Sequence, residues 1–140
     1  MSLRAVLAPL FVEVVLTFAL MLIMGALRQR DFRSGVVKAQ DVALREPSWP
    51  SRTRQAAYSF SNQFELPVLF YVLTILAWDT KHAGALFVGL AWIFVIFRVL
   101  QAYVHVTSNI VRIRGAFYSV AALVLMIMWA IYIVQVLTGT

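Results

Sequence analysis

Four long apolar stretches dominate the hydrophobic pattern of the chain. A helix of about 20 apolar residues crosses the hydrocarbon core of a bilayer, and only short turns follow the second and third stretches. Antiparallel neighbours are the simplest arrangement for helices joined in this way. The pattern therefore predicts an all-α integral membrane protein, a four-transmembrane-helix antiparallel bundle formed by a single domain over residues 1–140. The predicted spans are residues 5–27, 56–78, 83–105 and 115–137, with a polar loop at residues 28–53.

The second stretch carries polar residues at membrane depth. Its almost entirely apolar part, Leu66–Trp78, is too short to cross a bilayer alone, since a span needs about 20 residues. The span must therefore include Asn62 and Glu65, and polar groups at such a depth require partners. Pro67 has no backbone donor, so we expect a kink in the helix just beyond Glu65.

Basic residues are concentrated at one end of the predicted bundle. One end carries Arg28, Arg30, Arg33, Lys38, Arg45, Arg52, Arg54, Arg112 and Arg114, whereas the other carries only Arg4 and Lys81. Cytoplasmic loops of membrane proteins are enriched in Lys and Arg. The distribution predicts that the loop at residues 28–53 is cytoplasmic and that both termini lie on the non-cytoplasmic side.

Composition and charge narrow the chemistry further. The chain has 140 residues, of which 62% are hydrophobic and 13% charged, and this is about half the charged fraction of a soluble domain. The absence of Cys excludes disulfides, catalysis by a protein thiolate and Cys-based metal sites. The net charge of +6 follows from membrane topology. No basic helix face or aromatic platform accompanies it, so we expect no nucleic acid partner.

Polar residues from all four spans are predicted to meet near the cytoplasmic end. By helical rise, Glu65 and Arg98 lie at similar depth, so we expect them to form an ion pair. Glu13 is placed near the opposite leaflet, with no cation at its depth. The residues that share this leaflet with the pair are Arg28, Asn62, Gln101, His105, Arg114 and Tyr118. Such a set suits a basic pocket for an anionic ligand beside an apolar one. The alternative is that Asn62, Glu65 and Arg98 only hold the helices in register.

Three short segments that contain these polar residues resemble the MAPEG family, the membrane-associated proteins in eicosanoid and glutathione metabolism. They are the segment Asn62-Gln63-Phe64-Glu65-Leu66-Pro67, then Arg98 with His105, then Arg114 with Tyr118. The resemblance covers essentially the whole chain and points to a bacterial-type member in the inner membrane. It implies a homotrimer with glutathione bound between subunits near the cytoplasmic face.

The resemblance also implies roles for individual residues. Arg114 matches the arginine that stabilises the glutathione thiolate, and a cation beside a thiol lowers its pKa. The residues that would bind glutathione are Arg28, Asn62, Glu65, Arg98, His105 and Tyr118. The implied activity is that of a glutathione-dependent transferase or peroxidase acting on lipophilic electrophiles, with membrane lipid around the bundle.

Two departures from the family pattern keep other functions open. Glutathione-using members usually carry arginines just before the asparagine of the second span, where this sequence has Tyr58 and Ser61. One alternative is a non-catalytic lipid-binding or scaffold protein of the same fold. The other is a small proton-coupled transporter, in which the membrane carboxylate of Glu13 exchanges protons. The first two functions depend on Glu65 and the third on Glu13.

Overall fold

The computed structural model of the protein describes residues 1–43 and 48–140; Arg45, Glu46 and Pro47 of the predicted loop lie outside the described residues. Within the described ranges the chain forms helices and no strands. The helices are α1 (Leu3–Ser34), α2 (Ala39–Val42), α3 (Ser51–Asn62), α4 (Leu66–Asp79), α5 (Ala85–Val106) and α6 (Val111–Thr138).

Four helical segments are long and apolar enough to cross a membrane, which confirms the predicted fold class. They are Leu3–Ser34, Ser51–Asp79, Ala85–Val106 and Val111–Thr138. The first span is longer than predicted, since α1 continues past Leu27 until Gly35 ends it with a left-handed φ of 76°. We call the end that carries residues 35–43, 48–50 and 107–110 the loop end, and the end that carries both termini the terminal end.

The second span is interrupted rather than merely kinked. Its two halves, α3 and α4, are separated by residues 63–65. Pro67 in the first turn of α4 cannot donate to the carbonyl of Gln63, and its ring would clash with that carbonyl in a continuous helix. The backbone instead makes shorter-range bonds, including Phe64 N to Ser61 O at 3.0 Å and Glu65 N to Asn62 O at 3.3 Å. Consequently the side chains of residues 63–65 do not continue any face of α3 or α4.

Helix α5 is the centre of the bundle, since it packs against α1, α3 and α6. Its buried residues recur every three or four positions along one continuous stripe. The stripe is apolar from Phe87 to Val95 and polar from Arg98 to His105. The same face of α5 therefore forms the hydrophobic core near the terminal end and a polar wall near the loop end.

The hydrophobic core lies in the half of the bundle toward the terminal end. Phe70 of α4 and Phe94 of α5 are fully buried, with ring centroids 4.8 Å apart. Other core residues include Val6, Leu73, Ala91 and Leu125 from the four spans. Such packing fixes the relative positions of the spans, and with them the polar groups at the loop end.

A buried polar contact joins the first two spans at the loop end. The Thr53 hydroxyl donates to Asp31 Oδ2 at 2.5 Å, and both side chains are almost fully buried. The guanidinium of Arg28 lies over the ring of Trp49, 5.2 Å from its centroid. Phe32 makes an edge contact with the same ring. These contacts hold the chain after residue 48 against α1.

Candidate functional site

A polar groove of about 470 Å³ opens at the loop end of the bundle. Its walls come from α3, the break before α4, the end of α5 and the start of α6. The lining residues are Tyr58, Ser61, Asn62, Glu65, Gln101, His105, Arg114, Gly115 and Tyr118. Five of the seven residues predicted for the site, Asn62, Glu65, His105, Arg114 and Tyr118, thus surround one groove.

The interruption of the second span places two of these residues. Asn62 is the last residue of α3, and Glu65 precedes α4 with φ −99° and ψ −104°. In a continuous helix the backbone N–H and C=O groups of both residues would be hydrogen-bonded within the helix. The break instead leaves the Glu65 side chain exposed along the groove, whereas Asn62 is partly buried.

Arg114 is held at the edge of the groove by a turn residue. Asn109 adopts a left-handed conformation with φ 49°, which Asn tolerates better than most residues. Its backbone N–H donates to Val104 O at 2.7 Å and closes the end of α5. Its side-chain Oδ1 accepts a hydrogen bond from Arg114 Nη1 at 2.8 Å. Asn109 thus fixes both the turn and the guanidinium, a role that sequence reasoning missed.

Arg98 pairs with Glu13, and the predicted ion pair with Glu65 is wrong. Arg98 Nε lies 4.0 Å from Glu13 Oε1, and both side chains are fully buried. Arg98 Nη1 donates to Gln101 Oε1 at 2.7 Å, and Nη2 donates to the backbone carbonyl of Asn62 at 3.1 Å. Arg98 therefore lies behind the groove wall, and its contact with the second span is with the backbone of Asn62.

The placement of Glu13 without a cation at its depth is also wrong, and side-chain reach explains the error. Helical rise alone separates Glu13 and Arg98 by about 10 Å along the membrane normal. The long side chain of a helical residue points toward the N-terminus of its helix. For Arg98 that direction leads away from the loop end and toward Glu13. Glu65, by contrast, is directed into the groove by the helical break.

Arg28 lies outside the groove. Its guanidinium stacks on Trp49 instead, and its Nε is buried without a hydrogen-bond partner among residues 1–43 and 48–140. Of the seven predicted site residues, Arg28 and Arg98 therefore do not line the groove of this chain. Two lining residues, Tyr58 and Ser61, occupy the positions where the sequence departs from the family pattern.

The groove presents donors and acceptors of both charges. Glu65 supplies one carboxylate and Arg114 one guanidinium. Asn62 Oδ1 and His105 Nδ1 are buried and make no hydrogen bond within the part of the chain that the structure describes. Because buried polar atoms normally have partners, these two are suited to a bound polar molecule. In the same ranges, no group of three or more His, Asp or Glu side chains could hold a metal ion.

The fold and the groove together define a four-span α-helical integral membrane protein with a polar binding site near one end of its bundle. Three features characterise the structure: the interrupted second span, the buried arginine of the third span and the arginine at the start of the fourth. Together they extend over most of the chain. The chain belongs to the MAPEG family, whose family model matches residues 6–134. No curated protein and no solved structure matches it.

Proposed function

We propose that the protein is a glutathione-dependent transferase or peroxidase that acts on lipophilic electrophiles in the membrane. Membership of the MAPEG family supports this function, since its members include glutathione-dependent transferases. The observation that carries the proposal is the groove, in which Arg114 faces the same space as Asn62 and Glu65. A tripeptide with charged ends and a central thiol matches such a set of groups.

Each polar group of the groove has a counterpart in glutathione. The carboxylate of Glu65 suits the ligand's single ammonium group, since both ends of such a pair are charged. The amide of Asn62 and the imidazole of His105 suit its peptide groups, because both carry a buried atom without a partner among the described residues. The guanidinium of Arg114 suits the thiolate, and Tyr118, one turn further along α6, lines the space beside it.

Arg114 is the residue that we assign to catalysis. A guanidinium beside the thiol favours loss of its proton to solvent and stabilises the thiolate that results. In a transfer reaction the sulfur forms a bond to an electrophilic carbon, and the leaving group departs with the bonding electrons. In a peroxidase reaction the thiolate cleaves the O–O bond of a hydroperoxide to give an alcohol and a sulfenic acid, and a second glutathione converts the sulfenic acid to the disulfide and water.

Within residues 1–43 and 48–140, the groove of one chain has no cation besides Arg114 for the carboxylates of glutathione. Tyr58 and Ser61 line it where related glutathione-using proteins usually carry arginines, so Arg114 is the guanidinium that it presents. A missing charge-assisted hydrogen bond weakens binding by about 1.5–3 kcal/mol. We propose that the protein is a homotrimer in which Arg28 of a neighbouring chain reaches the groove, and that the affinity for glutathione is in the millimolar range.

We place the loop end, and therefore the groove, on the cytoplasmic side of a bacterial inner membrane. The basic residues of the loop and of the start of α6 support this orientation by the positive-inside rule. Glutathione would then enter from the cytoplasm, and a lipophilic substrate would enter from the surrounding lipid. Both termini would lie on the non-cytoplasmic side.

A non-catalytic lipid-binding protein is the second candidate, and Tyr58 and Ser61 favour it. Two uncharged side chains make the groove less selective for anionic ligands and more suitable for a lipid headgroup that forms hydrogen bonds. A proton-coupled transporter is not supported. Its membrane carboxylate needs access to both sides, whereas Glu13 is fully buried beside Arg98.

Thermal unfolding of the detergent-purified protein tests the proposal. Glutathione at about 100 times its dissociation constant should stabilise the protein by about 2.7 kcal/mol and raise Tm. We expect this rise to be smaller in Arg114→Ala, which keeps only the contacts that do not involve the thiolate, and unchanged in Arg112→Ala, since Arg112 is an exposed neighbour outside the groove. S-methylglutathione, which has no thiolate, should stabilise both variants alike. The absence of a shift for the wild-type protein would favour the lipid-binding function.

A further inference from the structure

Two fully buried groups of opposite charge lie behind the groove. Glu13 of α1 and Arg98 of α5 have no exposed side-chain surface, and Arg98 Nε is 4.0 Å from Glu13 Oε1. Both belong to spans that pass through the hydrocarbon core of the membrane. Charged residues in such segments are rare and usually mark functional sites. The glutathione site proposed above uses neither carboxylate oxygen of Glu13.

The guanidinium of Arg98 connects Glu13 to the wall of the groove. Its Nη1 donates to Gln101 Oε1 at 2.7 Å, and its Nη2 donates to Asn62 O at 3.1 Å. Gln101 and Asn62 both line the groove. The three nitrogens of a guanidinium are coplanar and rigidly joined. The orientation of Nε toward Glu13 therefore determines where Nη1 and Nη2 point.

A second carboxylate is close enough to compete for the same guanidinium. Glu65 stands at the break of the second span, and its backbone N lies 3.3 Å from the Asn62 carbonyl oxygen that accepts the hydrogen bond from Arg98 Nη2. Glu65 forms no ion pair or side-chain hydrogen bond within the described ranges, and its side chain is exposed along the groove. Its carboxylate is thus available to a ligand only while Arg98 has another counter-ion.

We propose that Glu13 is a positioning residue for the groove: as the buried counter-ion of Arg98, it leaves Glu65 available to the ammonium group of the ligand. This inference rests on the glutathione site proposed above. Without the charge of Glu13, a buried Arg98 would be uncompensated, which is strongly unfavourable. Its guanidinium would turn toward Glu65, the carboxylate at the break of the second span. The pair would then occupy the groups that hold the ligand.

The first experiment measures ligand selectivity. It compares the dissociation constants of glutathione and of a deamino analogue that lacks only the ammonium group, in the wild type and in Glu13→Gln. A charge-assisted bond between Glu65 and the ammonium corresponds to a preference of about tenfold for glutathione in the wild type. We expect the preference to disappear in Glu13→Gln and to return in Glu13→Gln/Arg98→Met, which removes the competing cation. A structural role alone would weaken both ligands equally and leave the ratio unchanged, which would overturn the proposal.

The second experiment needs no glutathione and keeps the two proposals separable. In the wild-type background, Glu65→Gln should leave Tm unchanged, because no described residue pairs with Glu65. In the Glu13→Gln background, the same change should lower Tm, because Glu65 has become the partner of Arg98. The matched control is Asp79→Asn, an exposed carboxylate at the terminal end, which should be neutral in both backgrounds. Equal effects of Glu65→Gln in both backgrounds would overturn the inference, even if glutathione binds.

A third variant covers the case in which Glu13→Gln does not fold. Glu13→Asp keeps the charge and lengthens the distance to Arg98, so it should reduce the glutathione preference by a smaller factor. It should also make Tm sensitive to Glu65→Gln. An unchanged preference together with insensitivity to Glu65→Gln would contradict the proposal. If the wild type binds neither ligand, the glutathione function fails, and the Tm comparison still decides the role of Glu13.

Discussion

Arg98 donates a hydrogen bond from Nη2 to the backbone carbonyl of Asn62 at 3.1 Å, at the point where the second span loses its helical hydrogen bonds. The nearest backbone donor to the same carbonyl, Glu65 N, is more distant at 3.3 Å. A proline two residues beyond Glu65 prevents the helix from closing the gap. A side chain of the third span thus supplies a hydrogen bond to the interrupted backbone of the second span, at a residue that lines the groove.

The first prediction concerns the helical break itself. Pro67→Ala restores a backbone donor for the carbonyl of Gln63 and removes the clash of the ring, so α3 and α4 can join. We expect Tm to stay equal or rise, because Ala favours a helix interior by about 3 kcal/mol over Pro. The stabilisation by glutathione should be lost, because Asn62 and Glu65 turn away from the groove. The control Pro9→Ala, in α1, should keep it. A full glutathione response in Pro67→Ala would show that the break does not shape the site.

The second prediction concerns the buried charge of Arg98. Arg98→Met leaves the carboxylate of Glu13 buried without its counter-ion, and breaking a buried pair in this way destabilises a protein by about 3–5 kcal/mol. We expect a clear fall in Tm or in the urea midpoint of the detergent-solubilised protein. Arg112→Met removes an exposed arginine and should leave both unchanged. Equal stability of the two variants would mean that Glu13 is uncharged in the folded protein.

The third prediction separates the two roles of Asn109. Asn109→Gly keeps the left-handed backbone at φ 49° and removes the acceptor for Arg114. We expect Tm close to that of the wild type, with kcat for glutathione conjugation lowered several-fold and KM for glutathione little changed. Asn109→Ala should lower Tm as well, since a left-handed conformation is unfavourable for Ala by about 1 kcal/mol. A wild-type kcat in Asn109→Gly would show that Arg114 needs no anchor.

The fourth prediction concerns the contact between α1 and α3. Thr53→Val keeps the shape of the side chain and removes the donor to Asp31, a buried carboxylate. Leaving a buried acceptor without its partner destabilises a protein by about 1–3 kcal/mol, so Tm should fall. Thr138→Val is the matched control, since that exposed hydroxyl bonds to Val134 O of its own helix and to the exposed Thr140 hydroxyl, and joins no second span. If the two variants unfold alike, the contact contributes nothing measurable to stability.

The fold could be predicted from the sequence because membrane spans follow from hydrophobicity and length alone. All four spans were expected, and so was a distortion near Pro67, although a kink was predicted where the helix is in fact interrupted. The family was also identified correctly, from Asn62, Glu65, Arg98 and Arg114. The C-terminal end of α1 was not predicted. The apolar pattern stops at Leu27, whereas the helix continues through mostly polar residues to Ser34. Helical structure outside the membrane depends on contacts such as that of Asp31 with Thr53.

The partner of Arg98 could not be predicted, because depth counted along helices ignores the reach of side chains. Both Glu13 and Glu65 are acidic residues of membrane spans, and the count along the helices favoured Glu65. The choice between them depends on how the break turns Glu65 and on the packing of α1 against α5, neither of which is local in sequence. Asn109 was missed for a similar reason, since its contact with Arg114 depends on the turn geometry.

The pKa of the glutathione thiol in the bound state tests most directly whether Arg114 stabilises a thiolate. It is measured from the ultraviolet absorbance of the thiolate against pH, with glutathione and protein both at concentrations that give substantial binding. The account predicts a midpoint below that of free glutathione in the wild type and in Arg112→Ala, and a return to the free value in Arg114→Ala. A wild-type midpoint equal to that of free glutathione, or a lowered midpoint that survives Arg114→Ala, would contradict it.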